Sequence, residues 1–179
     1  MRPAAAIALA LPLLAATWVP SSPDLGKAKG RCRPGERGPA FIVTPVGLKD
    51  RKGDLKLEVY PANDEDFLQD DNILINHRKV FRRVELPVPP SGPVSLCIRV
   101  PAPGRYALVL LHDRDKNHKF GWTVDGIGFA SNPKLHWGKP KAARASAAAG
   151  PGLTRLSIIL NYHHGLFGFG PLKKKKWAN

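Results

Sequence analysis

Residues 103–117 read PGRYALVLLHDRDKN, and this stretch decides the fold class. Pro103 and Gly104 are typical of a tight turn, and the run from 106 to 112 has the length and composition of one β-strand. Its apolar residues fall on both odd and even positions. Because side chains alternate between the two faces of a strand, both faces are predicted to be buried, as in the central strand of a sheet.

Six further runs of strand-like sequence surround this one, separated by turns rich in Pro and Gly. In the clearest of them, Leu55, Leu57 and Val59 alternate with more polar residues and are predicted to face the core. Short strands joined by such turns predict an all-β protein with a single antiparallel β-sandwich of about seven strands. The six runs are residues 41–46, 54–60, 80–86, 94–100, 126–131 and 153–162.

Two connections are longer than the turns. Residues 61–79 are acidic and carry a Phe67-Leu68 pair that we expect to dock on the sandwich, with a helical turn in the same connection. Residues 113–152 contain an Ala-rich stretch, 142–149. For this stretch a short helix of about two turns and a loose linker are both open, because so short a helix is marginal without packing.

The composition is that of one folded domain with a strong positive charge. The chain has 179 residues, with 28 Lys and Arg against 14 Asp and Glu, for a net charge of +14. Hydrophobic residues make up 43% of the chain, enough for a core, which excludes a disordered polycation. Nine bases and no acid follow Asp125. This asymmetry points to an anionic partner for the C-terminal third.

The N-terminus has the parts of a secretory signal peptide. Arg2 gives it a positive start, residues 4–16 are apolar, and residues 17–22 are of the small and polar kind at which cleavage occurs. We therefore expect an exported protein, and no apolar run reaches the ~18 residues of a membrane span. The predicted organisation is a signal peptide at 1–22, a basic segment at 23–39, the β-sandwich at 40–163 and a basic aromatic tail at 164–179.

Cys32 and Cys97 are the only cysteines, and export places them in an oxidising compartment. We predict that they form a disulfide, which would fasten the basic N-terminal segment to the strand around Cys97. In that strand Leu96 and Ile98 share one face and Cys97 lies on the other, so the bridge is expected outside the main core. No Cys-x-x-Cys spacing supports a redox-active pair.

Several strings together resemble one known family. They are IVTPVGLKDRKGDLKLEVYPANDEDFL at 42–68, CIRVPAPGRYALVLLHDRDKNHKF at 97–120 and GIGFASN at 126–132. These strings are similar to the exported bacterial family of domains of unknown function numbered 2141. The resemblance covers about residues 41–162 and is most specific over 103–117. It implies an Ig-like or prealbumin-like sandwich in a periplasmic or extracellular bacterial protein, and it implies no activity.

Asp113, Asp115 and Asn117 place oxygen ligands at alternate positions, which is how a calcium-binding loop begins. The rest of that pattern is missing, since His118 stands where Gly is needed and Val124 where a bidentate Glu should stand. A turn stabilised by Asx hydrogen bonds is the other interpretation, and the favoured one.

Gly104, Tyr106 and His112 are predicted to be structural. Tyr106 resembles a tyrosine corner, in which a buried ring sends its hydroxyl back to the nearby backbone. His112 ends its strand, where its ring is expected to hold the following loop by hydrogen bonds. A metal ligand and a general base are the alternative roles for His112.

No motif of hydrolytic catalysis is found, since there is no Gly-x-Ser-x-Gly elbow and both cysteines are assigned to the disulfide. We therefore predict an exported, non-enzymatic protein without a cofactor that acts as a binding or envelope-associated module. Two alternatives are binding of calcium or another metal by the Asp113 loop, and attachment to an anionic membrane surface by the tail. A tail that is only solvated is the simpler alternative. Nucleic acid is not expected as a partner, because an exported protein rarely meets it. The tail residues concerned are Lys173, Lys174, Lys175, Lys176 and Trp177.

Overall fold

The computed structural model describes residues 22–136, 138–166, 168–173 and 177. Within these residues no helix is long and apolar enough to cross a membrane. The helical elements are α1 (Lys27–Gly30), α2 (Asp71–Asn76) and a 3-10 turn (Ala142–Ala145). The strands, in chain order, are β1 (Ala40–Val46), β2 (Asp54–Pro61), β3 (Arg82–Pro87), β4 (Leu96–Arg99), β5 (Gly104–Asp113), β6 (Gly126–Phe129), β7 (Ser146–Ala149), β8 (Leu153–Ile159), β9 (Asn161–His164) and β10 (Gly168–Pro171).

The strands form two sheets, which confirms the all-β sandwich. The smaller sheet has the order β4-β1-β8, and the larger has the order β10-β9-β6-β5-β2-β3 with β7 paired to the start of β5. One pairing differs from the antiparallel prediction, because β1 and β8 run parallel from Ala40 beside Leu153 to Val46 beside Ile159. Parallel pairing requires a long connection, and the whole larger sheet except β9 and β10 lies between these strands in the chain.

Strand β5 is buried on both faces, as its sequence predicts. Leu108 and Leu110 belong to an inner core between the sheets. Ala107 and Val109 belong to an outer core on the opposite face of the larger sheet. The outer core also contains Tyr60, Phe67, Leu74, Phe81, Phe129, Ala142 and Ala145, so the two long connections supply much of its cover.

Three segments differ from their sequence predictions. The Ala-rich stretch is a 3-10 turn followed by β7, because Ala147 pairs with Tyr106 in the larger sheet. The predicted strand at 153–162 is divided, since β8 pairs with β1 in one sheet and β9 pairs with β6 in the other. Strand β10 lies in the segment assigned to the tail and pairs with β9.

The disulfide between Cys32 and Cys97 is confirmed, with the two Cα atoms 5.6 Å apart. Cys97 is half-buried between the fully packed Leu96 and Ile98, so the bridge lies outside the inner core. Two further contacts bring the N-terminal segment to the same strand. Arg31 forms a β-bridge with Ile98, and Arg99 pairs with Glu36 at 3.0 Å.

We expect replacement of both cysteines by serine to lower the free energy of unfolding by up to about 4 kcal/mol, since the bridge spans 65 residues. The measurement is urea unfolding of the wild type and of the double variant, each with and without a reductant. Reductant should destabilise the wild type and leave the double variant unchanged. Equal stability of the wild type and the double variant would contradict the expectation.

Candidate functional site

His112 lies at the end of β5 and is fully buried. Its Nε2 donates to the carbonyl oxygen of Lys52 at 2.8 Å, which leaves Nδ1 to accept from the Tyr162 hydroxyl at 2.7 Å. The same hydroxyl accepts from the backbone N–H of Lys49 at 3.2 Å. The ring therefore holds the β1–β2 turn and β9, whereas the sequence prediction had it holding the loop that follows.

Electrostatics at this site favour a neutral imidazole. Burial lowers the pKa of His112, and this outweighs the bond to Lys52 and the nearby Asp50, whose Oδ1 is 3.9 Å from Nε2. Burial would raise the pKa of Asp50, but the hydrogen bonds from Arg114 and from the backbone of Lys52, together with the positive charge of Arg114, outweigh it and the pKa is lowered. Arg114 also donates to the carbonyl oxygen of Val124 at 2.7 Å, so it joins the β1–β2 turn to the loop after β5.

Two glycines allow this packing. A Cβ on Gly126 would lie 2.2 Å from Cε1 of Tyr162, so only glycine lets the Tyr162 ring cross β6 at that point. A Cβ on Gly53 would lie 2.0 Å from the carbonyl oxygen of Asp113, and Gly53 has a φ of +72°. Both glycines stand in the strings that carry the family resemblance, at the turn before β2 and at the start of β6.

The structure brings Asp113 and Asp115 together with Asp125, and Asn117 lies against this group because its backbone and side-chain amides donate to Asp113 and Asp115. One carboxylate oxygen from each of the three acids lies within 4.8 Å of the others. Burial raises the pKa of Asp113, and the carboxylates of Asp115 and Asp125 raise it further. These effects outweigh the hydrogen bonds from the backbone amides of His118 and Asn117, which lower it. Asp125 was missed by the sequence prediction because it stands eight residues beyond the motif, and no spacing rule connects it to Asp113.

All six oxygens of these carboxylates accept hydrogen bonds from the protein. Asp113 accepts from the backbone N–H of Asn117 and of His118, at 3.2 and 2.8 Å. Asp125 accepts from the backbone N–H of Arg114 and of Gly121, at 2.8 and 2.7 Å. Exposed Asp115 accepts from the backbone and the side-chain amide of Asn117. The loop is thus a set of Asx-type turns, and His118 has a left-handed φ of 61° where a calcium loop has Gly.

Tyr106 has the geometry of a tyrosine corner. Its ring is buried, and its hydroxyl donates to the carbonyl oxygen of Ala102 at 2.9 Å. Gly104 begins β5 opposite Ala149. Both residues position the start of the central strand, at the opposite end from His112.

A group of apolar side chains, three of them exposed and one half-buried, lies at the β9–β10 edge of the larger sheet. Trp122 stacks on Phe169 with ring centroids 4.2 Å apart, and Phe120 meets Phe169 edge-on at 6.2 Å. Leu166, 86% exposed, stands in the turn between β9 and β10. We call Phe120, Trp122, Leu166 and Phe169 the aromatic end. No sequence pattern predicted it, because Trp122 and Phe169 are far apart in the chain.

The predicted surface-binding tail is described in part. Lys173 is exposed, and Lys174, Lys175 and Lys176 lie outside the described residues. Trp177 is half-buried, and its Nε1 donates to the carbonyl oxygen of Leu172 at 3.0 Å. The Trp177 ring lies against Gly47, at the start of the β1–β2 turn.

A buried ionic network covers the outer face of β2 and β3, and sequence reasoning missed it. Arg83 donates through Nε to Glu58 at 2.7 Å and pairs through Nη1 with Asp71 at 2.9 Å. The Tyr60 hydroxyl donates to Glu58 at 2.8 Å, and burial raises its pKa. These four residues line a cavity of about 520 Å³. Alternation in β2 put Glu58 and Tyr60 outside the inner core, but only the tertiary structure places α2 over them.

Comparison with known proteins gives one match. The model of a family described as "Uncharacterized protein conserved in bacteria (DUF2141)" matches residues 43–156. No curated protein and no solved structure matches the chain. The matched range holds the end of β5, both glycines described above and the three clustered acids.

We expect His112 to make stability depend on pH below about 6.5. With the pKa of His112 lowered in the folded protein, the unfolded chain binds a proton that the folded protein does not. The contribution is complete above pH 6.5 and is lost as the pH falls toward the folded-state pKa. Urea unfolding at pH 7, 6 and 5 should show a decline in stability for the wild type and a smaller decline for His112→Gln.

The control is His136→Gln, which replaces an exposed histidine and should keep the wild-type decline. Asp50, whose pKa is lowered, loses its contribution near and below pH 3.8. Asp113, whose pKa is raised, contributes a slope of the opposite sign above pH 3.8, but it is present in all three proteins. An equal decline in His112→Gln and the wild type would exclude His112 as the cause.

Proposed function

The chain belongs to the DUF2141 family of uncharacterized bacterial proteins, and we propose that it is an exported, non-enzymatic binding module that attaches to an anionic surface of the cell envelope. The aromatic end carries this proposal. Among the described residues, five large hydrophobic side chains are exposed, and three of them belong to the β9–β10 hairpin or pack on it: Phe120 and Trp122 contact Phe169 of β10, and Leu166 stands in the turn. Clustered exposed apolar side chains are typical of an interaction surface, whereas single ones are not.

Charge around the aromatic end favours an anionic membrane over a neutral partner. Lys119 is exposed in the loop that carries Phe120 and Trp122, and the exposed Lys116 of the same loop pairs with Asp54 at 3.2 Å. Lys173 follows β10 and begins the run of four lysines. Each lysine near an anionic membrane contributes roughly 1 kcal/mol of attraction. Trp and Phe side chains at the headgroup level would add the apolar part of the interaction.

Support for a non-enzymatic role comes from the groups with the most chemical character. His112 is fully buried and both ring nitrogens are engaged, so it has no free position from which to act on a substrate. Asp113 and Asp125 are buried, and their oxygens hold backbone amides. The geometry gives all three side chains a part in holding the loops together.

Binding of calcium or another metal by the Asp113 loop is the second candidate function. The clustering of Asp113, Asp115 and Asp125 favours it. The hydrogen bonds from backbone amides to these carboxylates weigh against it, because they already supply positive partners for the charges. The interleaved Arg114 and Lys116 also repel a cation.

We therefore expect calcium up to about 1 mM, the range of weak extracellular sites, to leave the melting temperature unchanged. Calorimetric titration should show no saturable heat. Asp115→Asn tests the exposed member of the group, with Glu65→Gln as the control at an exposed acid in another loop. Stabilisation by calcium that is lost in Asp115→Asn alone would establish the metal function.

We expect the protein to bind vesicles of phosphatidylglycerol and phosphatidylcholine, and not vesicles of phosphatidylcholine alone, with an affinity that falls as salt is added. Trp122→Ser and Leu166→Ser should each weaken binding several-fold. Replacement of the four lysines at 173–176 by glutamine should weaken it at least about tenfold and flatten the salt dependence. Co-sedimentation with vesicles measures all of these.

The matched control is Ile73→Ser on α2. It removes a side chain that is 45% exposed, which is similar to the 39% exposure of Trp122. Its vesicle binding should equal that of the wild type. Binding that is independent of salt, or that Trp122→Ser and the glutamine variant do not weaken, would refute attachment by this end of the molecule.

A further inference from the structure

A second cavity lies beside β3, at the edge of the larger sheet opposite to the aromatic end. It has a volume of about 480 Å³, within the range of small-molecule sites. We call it the edge cavity. Its lining combines apolar side chains with several cations, and it lies between the N-terminal segment, the chain after α2 and Pro101. The apolar lining residues are Leu25, Ala28, Ile75, Val80, Phe81 and Pro101.

The cations of the edge cavity outnumber the acids that could balance them. Lys79 is balanced by Asp66, with Nζ and the carboxylate 2.5 Å apart. Lys29, Arg78 and Arg82 line the cavity and form no ion pair with any acid in the described part of the chain. The acid in the lining, Asp24, is almost fully exposed and lies 3.7 Å from Lys27. Within the described residues, three cations without an ion-pair partner therefore border the cavity: Lys29 and Arg78, which are exposed, and Arg82, which is half-buried.

Arg82 is the most informative of these cations. It is half-buried, and its Nη1 donates to the carbonyl oxygen of Phe81 at 2.7 Å. Burial, and then repulsion from Arg99, lower its pKa. The acid beside Arg99 is Glu36, which pairs with Arg99 at 3.0 Å and forms no ion pair with Arg82. A partly desolvated guanidinium without a carboxylate is unfavourable, and an anionic ligand would offset that cost.

We propose that the edge cavity binds an anionic amphiphile, with its acidic head on Arg82, Arg78 and Lys29 and its apolar chain against Ile75, Val80 and Leu25. The chemistry required is a carboxylate or phosphate joined to a hydrocarbon chain, which a free fatty acid and an acidic phospholipid both provide. This site is separate from the surface proposed above, because β3 and β10 are the two ends of the strand order in the larger sheet.

The test is calorimetric titration of the full chain with dodecanoate below its critical micelle concentration. We expect saturable binding of one dodecanoate per chain. Dodecyltrimethylammonium, with the same chain and a positive head, and acetate, with the same head and no chain, should not bind saturably. Arg82→Gln should weaken dodecanoate binding about tenfold or more, because it removes a charge-assisted contact.

Matched variants distinguish binding in the edge cavity from a general effect of protein charge and from loss of folding. Ile75→Glu places an acid in the cavity lining and should abolish binding, whereas Ile73→Glu places it on the exposed face of the same helix and should not. Arg155→Gln removes an exposed arginine of β8 and should bind as the wild type does. Thermal unfolding of each variant, compared with the wild type, shows that the protein is folded.

Vesicles of phosphatidylglycerol and phosphatidylcholine form the second arm. If Arg82→Gln weakens only dodecanoate binding, the ligand is a free amphiphile; if it also weakens vesicle binding, the ligand is a membrane lipid. Absence of saturable dodecanoate binding to the wild type overturns the proposal. So does equal dodecanoate binding by a folded Arg82→Gln, or equal binding of the cationic amphiphile. Loss of vesicle binding in Trp122→Ser with unchanged dodecanoate binding would show that the two sites are independent.

Discussion

Burial of both faces of β5 is the constraint from which most of this structure follows. A strand with apolar side chains on both faces needs cover on both sides. The smaller sheet covers one side, where Leu108 and Leu110 share the inner core with Phe41 and Ile158. No third sheet covers the other side within the described residues, so the chain uses its two long connections there. Phe67 and Leu74 come from one connection, and Ala142 and Ala145 from the other.

The polar end of β5 presents the complementary problem. His112, Asp113 and Asp125 are buried, and buried polar groups are stable only when they are hydrogen-bonded. The backbone amides of the following loop supply partners for the acids, and Tyr162 and Lys52 supply them for the histidine. The same alternation of acids and amides that suggests a calcium site therefore also describes a loop that holds itself together. Asp50 and Arg114 tie this loop to the neighbouring turn.

Basic and acidic residues are distributed unevenly in the folded protein. Lys173 follows β10, at one edge of the larger sheet, while Lys29, Arg78 and Arg82 border the cavity at the other edge. By contrast, the acids Glu58, Asp66 and Asp71 are buried against basic partners. Among the described residues five acids are buried but only one Lys or Arg, Arg83, so the exposed surface is more basic than an even distribution would make it. That arrangement suits anionic partners at both edges.

Short-range patterns in the sequence predicted the all-β class, the inward set Leu55, Leu57 and Val59, the two buried faces of β5 and the Cys32–Cys97 bridge. These properties depend on alternation, turn residues and cysteine count, which the chain order contains directly. The tertiary structure alone decided the parallel pairing of β1 with β8, the pairing of Ala147 with Tyr106 that makes the Ala-rich stretch a strand, and the meetings of Asp125 with Asp113, Trp122 with Phe169 and Arg83 with Glu58. Each of these joins residues that are distant in the chain or belong to segments of ambiguous propensity, and only the packing of the complete sandwich brings them together.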